Sequence, residues 1–263
     1  MKLTREERHK HARAEAILSK EGPLNSDDRV EVIEGWHEGH SHNNAGASAF
    51  FTPFELAFHL ALNIPSHGKL LDLCSGIGSL TVANLEHGPN HYDEIVLVEI
   101  NPDYCAVARR LLPEAEVICG SVYDKGLIAE LASRRFTTVI SNPPFGNISK
   151  PAEAQGPRFK GQVHYEVLDI ASDLADNGAF ILPQGACPFE YSGRVNYTEV
   201  ENRNYDKFSK ATGIELQLGV SVDTSGLAPF RGTNIRTELV VADFKEARQR
   251  RQSDQSDLFL QAA

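Results

Sequence analysis

This sequence predicts an α/β fold: a mostly parallel sheet with helices on both faces and an antiparallel hairpin at one edge. Three observations lead there. Between Lys69 and Pro183, short apolar strands alternate with amphipathic helices. Strict alternation with short links calls for parallel strands joined by helical crossovers. A glycine-rich turn, CSGIGS, follows the first strand and opens a helix. The last two strands, GIELQLGVSV and IRTELVVADF, are separated only by a Gly/Pro-rich loop. That loop has no room for a helical crossover, so the pair should be antiparallel.

The elements follow in order. Residues 4–20 mix charge with Ala, Ile and Leu and read as a surface helix, broken by EGPLNSDD. Residues 1–35 are thus expected to form an N-terminal helical arm, followed by a loop rich in His, Asn and Gly from Gly35 to Gly46. Thr52–Pro53 should start a helix, since Thr caps well and Pro suits a first turn. Leu56, Ala57, Leu60 and Ala61 then fall at helical spacing. Strand KLLDLC leads to a helix from Ser79. Strand EIVLVE leads to helix DYCAVARRLL, ended by Pro113. Strand AEVIC precedes helix LIAELASRR, and strand TTVIS runs into NPPFG. Helix VHYEVLDIASDLADNG should end near Gly178 as its C-cap, before strand AFILP. The main domain spans residues 36–244, and the polar stretch 245–263 reads as a flexible tail.

Composition removes several function classes. The 263 residues carry a formal charge of -10, which argues against bulk electrostatic binding of nucleic acid. Any such contact needs a local basic cluster. The start, MKLTREERHKHARAEA, has no apolar segment of a secretory signal, so the chain reads as cytoplasmic. Cys74, Cys105, Cys119 and Cys187 form no CxxC pair and read as small core residues. The His37, His40 and His42 cluster lacks a partnering carboxylate pattern, so no metal is expected.

The glycine turn and an acid just over 20 residues on, Glu99, are what a nucleoside ligand needs. Gly76 and Gly78 admit the ligand to the carboxyl ends of the strands, and Glu99 can accept both ribose hydroxyls. Asp72 places a carboxylate inside a strand that would otherwise prefer an apolar residue.

The ligand is chosen by TTVISNPPFGN. With DLCSGIG, the spaced Glu99 and the upstream AFFTPFELA, it resembles the Rossmann-like class I methyltransferases that depend on S-adenosylmethionine. Within them it resembles the N6-adenine-specific DNA methyltransferases of gamma motif order, of the small plasmid- and phage-borne type. The resemblance covers roughly Phe50 to Phe244. It implies that Phe51 and Thr52 contact the methionine part of the cofactor. It implies that Asp72, Ser75, Gly76 and Gly78 form the cofactor loop, that Glu99 holds the ribose, and that Ile100 packs on the adenine. The third motif usually ends in Gly-Asp. Here CGSVYD puts Ser121 there, followed by Val122, and Asp124 is a candidate substitute.

Asn142, Pro143, Pro144 and Phe145 suit an aromatic amine, whose lone pair is delocalised into the ring. Two acceptors aimed at its hydrogens, the Asn142 side chain and the Pro143 carbonyl, favour a pyramidal nitrogen able to attack. The prolines hold the backbone so that the carbonyls stay aimed. Asn142 also borders the cofactor. Phe145 offers a face for the base. Duplex DNA hides the amine, so the base must be flipped or already single-stranded. The stretch from Gly146 to Gln162, with Lys150, Arg158 and Lys160, is expected to close over substrate, and Arg231 to meet nucleic acid. Only about 50 residues, Pro183 to Asn234, remain for target recognition, implying loose specificity. Gln255, Leu258 and Phe259 resemble the peptide that docks in the bacterial replication sliding clamp. An RNA adenine methyltransferase, a protein glutamine methyltransferase and a non-catalytic scaffold that binds the same cofactor are the competing readings.

Overall fold

The computed structural model describes residues 4–37, 51–145, 154, 156–227, 230 and 235–261, with side chains to Ser253. The first-strand region forms β1 (His67–Leu73), flanked by α3 (Phe54–Ala61) and α4 (Ser79–Glu86). Then come β2 (His91–Glu99), α5 (Pro102–Leu111), β3 (Glu116–Cys119), α6 (Lys125–Arg134), β4 (Phe136–Ser141), α7 (Val163–Leu174) and β5 (Ala175–Pro183). Beyond β5 lie a small hairpin, β6 (Phe189–Glu190) with β7 (Thr198–Glu199), then α8 (Arg203–Thr212), β8 (Gln217–Leu218) and β9 (Thr237–Asp243).

The main sheet runs β3-β2-β1-β4-β5-β9-β8, parallel through β5 and antiparallel at β9 and β8. This is the expected α/β architecture with its edge hairpin. Side-chain alternation splits the core in two. Leu70, Leu97 and Ile140 face one side, and Leu71, Val98 and Val139 face the other. Helices α3 to α5 cover the first face. Helices α6 to α8 cover the second.

The N-terminal arm is two helices, not one. α1 (Arg5–Leu18) opens with a capping box, Thr4 with Glu7. α2 (Ser26–Gly35) falls where the Asp pair reads as a break. Asn25 accepts from the Asp28 amide as its cap, and the two aspartates sit in the first turn, where the helix dipole favours them. The arm seals the first face through Val32, Ile33 and Trp36. Arg110 of α5 ties it down, donating to the carbonyls of Leu18 and Lys20.

Three further expectations are corrected. Gly178 does not cap α7. The helix stops at Leu174 and Gly178 lies inside β5, paired with Val139 and Ala242. A Cβ there would stand 2.3 Å from Phe180 and 2.7 Å from Phe244. Helix α8 was not foreseen. Asn202 caps it, Gly213 ends it at φ 68°, and Tyr205, Phe208 and Thr212 form its buried stripe. The stretch after Asp243 is helix α9 (Phe244–Gln261), not a loose tail. Its polar look has a cause. Arg248 donates to the carbonyls of Ser172 and Ala175 at the end of α7, and Arg251 and Arg250 to those of Thr212 and Gly213 at the end of α8. Cations at helix C-termini satisfy orphan carbonyls and oppose the dipole. Gln255, Leu258 and Phe259 lie on this helical backbone, with side chains outside the described residues.

Overpacking at Gly178 gives a direct check. Gly178→Ala should destabilise the chain by about 1–3 kcal/mol, because the two rings that would have to move are buried. Urea unfolding measures it, and a loss below about 0.5 kcal/mol would contradict the packing described.

Candidate active site

The carboxyl ends of β1, β2 and β4 meet at one edge of the sheet, and most of the singled-out residues converge there. Between β1 and α4 the chain turns through three left-handed residues, Cys74 (φ 56°), Gly76 (φ 58°) and Gly78 (φ 89°). The two glycines have different reasons to lack a Cβ. At Gly78 a Cβ would stand 2.7 Å from Leu112, so this position is set by packing against α5. At Gly76 it would approach the Phe51 ring at 3.2 Å, so this glycine lies against the segment before α3.

Glu99 ends β2 and is buried. One carboxylate oxygen accepts from the Gly76 amide at 2.8 Å, the other from the Asn101 amide at 2.7 Å. The acid therefore binds the glycine turn to the start of α5. Burial still raises its carboxyl above the usual range, against the pull of the neighbouring amides. Asp72, fully buried, accepts from the Thr81 hydroxyl through one oxygen. Burial pushes its carboxyl up to about 7, the Thr81 bond lowers it, and the charge of Glu99 raises it further.

No cationic side chain pairs with either acid among the described residues. The second Asp72 oxygen and the hydroxyls of Ser75 and Ser79 are buried without a hydrogen-bond partner there. Buried groups left so are costly. They fit a ligand that brings donors and positive charge, as the sulfonium and amino group of S-adenosylmethionine would. Ile100, next to Glu99, is 69% exposed, an apolar side chain left bare beside the buried acid.

β4 hands the chain to the Asn-Pro-Pro-Phe turn. Ser141, its last residue, bonds the Leu73 carbonyl and draws the ends of β4 and β1 together. The Asn142 amide then donates to the Thr52 hydroxyl at 3.0 Å, 90 residues away in sequence. Phe145 is buried, with the Phe230 ring T-shaped to it at 6.1 Å, so a base reaches its ring only after residues packed on it move.

Other residues are placed differently from the sequence reading. Asp124 caps α6 through one carboxylate oxygen, which accepts from the Gly126 and Leu127 amides. Ser121 accepts from the Tyr123 amide, and Val122 is buried in the second core face. Arg158 is locked to Asp169 and Asp173 of α7. Lys160 is exposed. Lys150, Arg231, His40 and His42 lie outside the described residues, and no group of metal-ligating side chains occurs among the described ones.

Sequence reasoning missed two features. Trp36, Phe51 and Tyr104 form an aromatic cluster that backs the glycine turn, with Phe51 5.0 Å from Tyr104. The buried Glu166 accepts from the Tyr123 hydroxyl at 2.7 Å and from the Gly161 amide at 2.8 Å. It thereby joins the loop after β3 to the loop before α7. Only the oddity of Trp36 after an apolar helix end, and of an acid in the apolar stripe of α7, hints at either in sequence.

Asp72 gives a pH test of this burial. Its proton is held to about pH 7 in the folded chain, against an ordinary value of 3.8. The folded state's advantage is therefore full below the ordinary value and is lost as pH rises to about 7. Asp72→Asn should stabilise the chain increasingly over that window, by about 4 kcal/mol above it. Urea unfolding near pH 4.5 and pH 8 reads the difference. An equal effect at both would contradict it.

Residues 55–159 match the family described as the methyltransferase small domain. No curated protein matches the chain. Among solved structures, it is similar to a type I restriction-modification methyltransferase subunit from Streptococcus thermophilus, at 16% identity and TM-score 0.56. That match covers 87% of this chain and 51% of the other. A candidate RNA methyltransferase from Pyrococcus horikoshii aligns at 18% identity and TM-score 0.49, covering 88% and 96%. A candidate class I S-adenosylmethionine-dependent methyltransferase from Listeria monocytogenes aligns at 12% and 0.49, covering 84% and 68%. No described helix is long and apolar enough to cross a membrane. The centre of this chain thus matches the methyltransferase small domain, and its Rossmann-like sheet is similar in fold to that of the Streptococcus thermophilus methyltransferase subunit.

Proposed function

We propose that this chain uses S-adenosylmethionine to methylate the N6 amine of adenine in DNA, in the cytoplasm and with loose sequence specificity. The observation that carries the reading is the Asn142–Thr52 hydrogen bond. It joins the Asn-Pro-Pro-Phe turn to the segment before α3 and fixes the Asn142 side-chain amide at the end of β4. When bound, the cofactor supplies a methyl group already made electrophilic by its sulfonium. Glu99 and Asp72 hold positive and hydroxylic groups, while Ser75 and Ser79 offer hydroxyls beside the glycine turn. Asn142 and the Pro143 carbonyl accept the two amine hydrogens and hold the nitrogen for attack. Positioning and fixed dipoles supply the rate, and no charged general base is needed. Phe230 is displaced when a base stacks on Phe145.

Loose specificity follows from the segment after β5. It is packed into the domain, not built as a separate module. Glu238 of β9, fully buried, accepts from Gln184, from the Tyr191 and Ser192 amides and from the Ser192 hydroxyl. Such anchoring leaves little surface for reading bases. Lys150, Lys160 and Arg231 are the cations we assign to nucleic acid. Gln255, Leu258 and Phe259, on the last turns of α9, are assigned to a sliding clamp, which would bring an acidic enzyme to DNA by raising the local concentration of substrate.

Asn142→Ala should lower kcat on adenine-containing DNA by about a hundredfold or more while cofactor affinity changes little. Steady-state kinetics with calorimetry checks both, and near-normal turnover would refute the assigned role. Binding of the protein to a purified bacterial sliding clamp should be micromolar, about -8 kcal/mol. A Leu258→Ala/Phe259→Ala variant should lose it, and equal signals from both proteins would end the clamp assignment.

A further inference from the structure

Two thiols lie beside the ribose acid, and nothing in the proposed reaction uses them. Cys105, in the first turns of α5, is fully buried and its sulfur donates to the Glu99 carbonyl at 3.3 Å. Cys119 ends β3, is exposed, and its sulfur approaches the Ile100 carbonyl at 3.9 Å. Cys119 is also the sheet partner of Glu99. The two sulfurs therefore rest on the carbonyls of consecutive residues. The other cysteines make no sulfur contact with the Glu99 or Ile100 carbonyls among the described residues. Cys74 is in the glycine turn, and Cys187 is buried in the second core face.

We propose that Cys105 and Cys119 form a peroxide-sensitive thiol pair whose disulfide disables the cofactor site, and that bound cofactor shields it. The inference rests on the cofactor site proposed above. The exposed Cys119 thiolate attacks hydrogen peroxide, breaking the O–O bond, releasing hydroxide and forming a sulfenic acid. The Cys105 sulfur then attacks that sulfur, its proton and the departing hydroxyl leaving as water. In total two thiols lose two electrons and two protons, and one peroxide becomes two waters. Burial pushes the Cys105 thiol up to about 12, so it is not the sulfur that meets the oxidant. Accessibility gives that role to Cys119, and its place on the neighbouring carbonyl gives the resolving role to Cys105.

The geometric consequence falls on Glu99 to Asn101. A disulfide needs its sulfurs about 2.05 Å apart. Closing the pair pulls α5 toward β3 and removes both sulfur contacts from the Glu99 and Ile100 carbonyls. The Asn101 amide that holds Glu99 belongs to the same stretch. A base seated on Ile100 would cover the Cys119 thiol.

The test treats the full chain with hydrogen peroxide, with and without saturating S-adenosylhomocysteine, followed by peptide mapping and calorimetry. Expected is a peptide pair linked through Cys105 and Cys119, reversed by dithiothreitol and absent in Cys119→Ser. S-adenosylhomocysteine should slow the linkage at least tenfold. The linked form should bind S-adenosylhomocysteine at least tenfold more weakly, and reduction should restore it. Cys119→Ser keeps binding, because the side chain only borders the site. A Cys119 that stops at sulfinic acid, or a linkage through Cys74 or Cys187, overturns the thiol pair. Linkage at an unchanged rate in the presence of ligand that calorimetry shows to be bound overturns the shielding. Linkage in a protein that shows no ligand binding overturns the cofactor reading and the coupling, and leaves the pair.

Discussion

The cleft depends on one buried carboxylate. Glu99 spans the Gly76 and Asn101 amides, so the end of β2, the turn after β1 and the start of α5 move as one. The turn cannot hold its three left-handed residues by local preference alone. Cys74 at φ 56° carries a Cβ that disfavours this region. The bonds of Glu99, the packing at Gly78 and the tie from Ser141 to Leu73 over-determine it. Backbone strain of this kind persists only where the surroundings fix it, and it gathers at sites that bind ligands.

Electrostatics point the same way. The cleft holds two acids, both raised by burial, and no cationic side chain among the described residues answers them. Two amides on Glu99 and the Thr81 hydroxyl on Asp72 offset part of the cost of burying them. A positively charged ligand offsets the cost at the moment it binds. The chain's charge of -10 then sets two problems apart. Acidity suits a cationic cofactor and opposes a polyanionic substrate, which is why a separate means of reaching DNA forms part of the proposal.

Most of the central sheet was legible in the sequence because its strands are apolar runs punctuated by glycine and proline. The Gly76, Glu99 and Asn142 positions were legible because their spacing from strand ends follows from the fold. What was not legible depended on partners far along the chain. Helix α9 looks like a solvated tail until the carbonyls that its arginines satisfy, at the ends of α7 and α8, are in view. Gly178 reads as a cap because its need for space comes from Phe180 and Phe244. The Asn142–Thr52 bond joins residues that no local pattern connects. Phe145 carries a face suited to a base in sequence, yet the structure packs Phe230 against it.

The central claim is that this cleft delivers a methyl group to an adenine amine. The most direct measurement incubates the protein with methyl-labelled S-adenosylmethionine and, separately, DNA, RNA and a protein pool, then separates the labelled products by mass spectrometry. The account predicts label in N6-methyladenine from DNA, spread over many sequence contexts. Label confined to RNA adenine or to protein glutamine, with none in DNA, would contradict it.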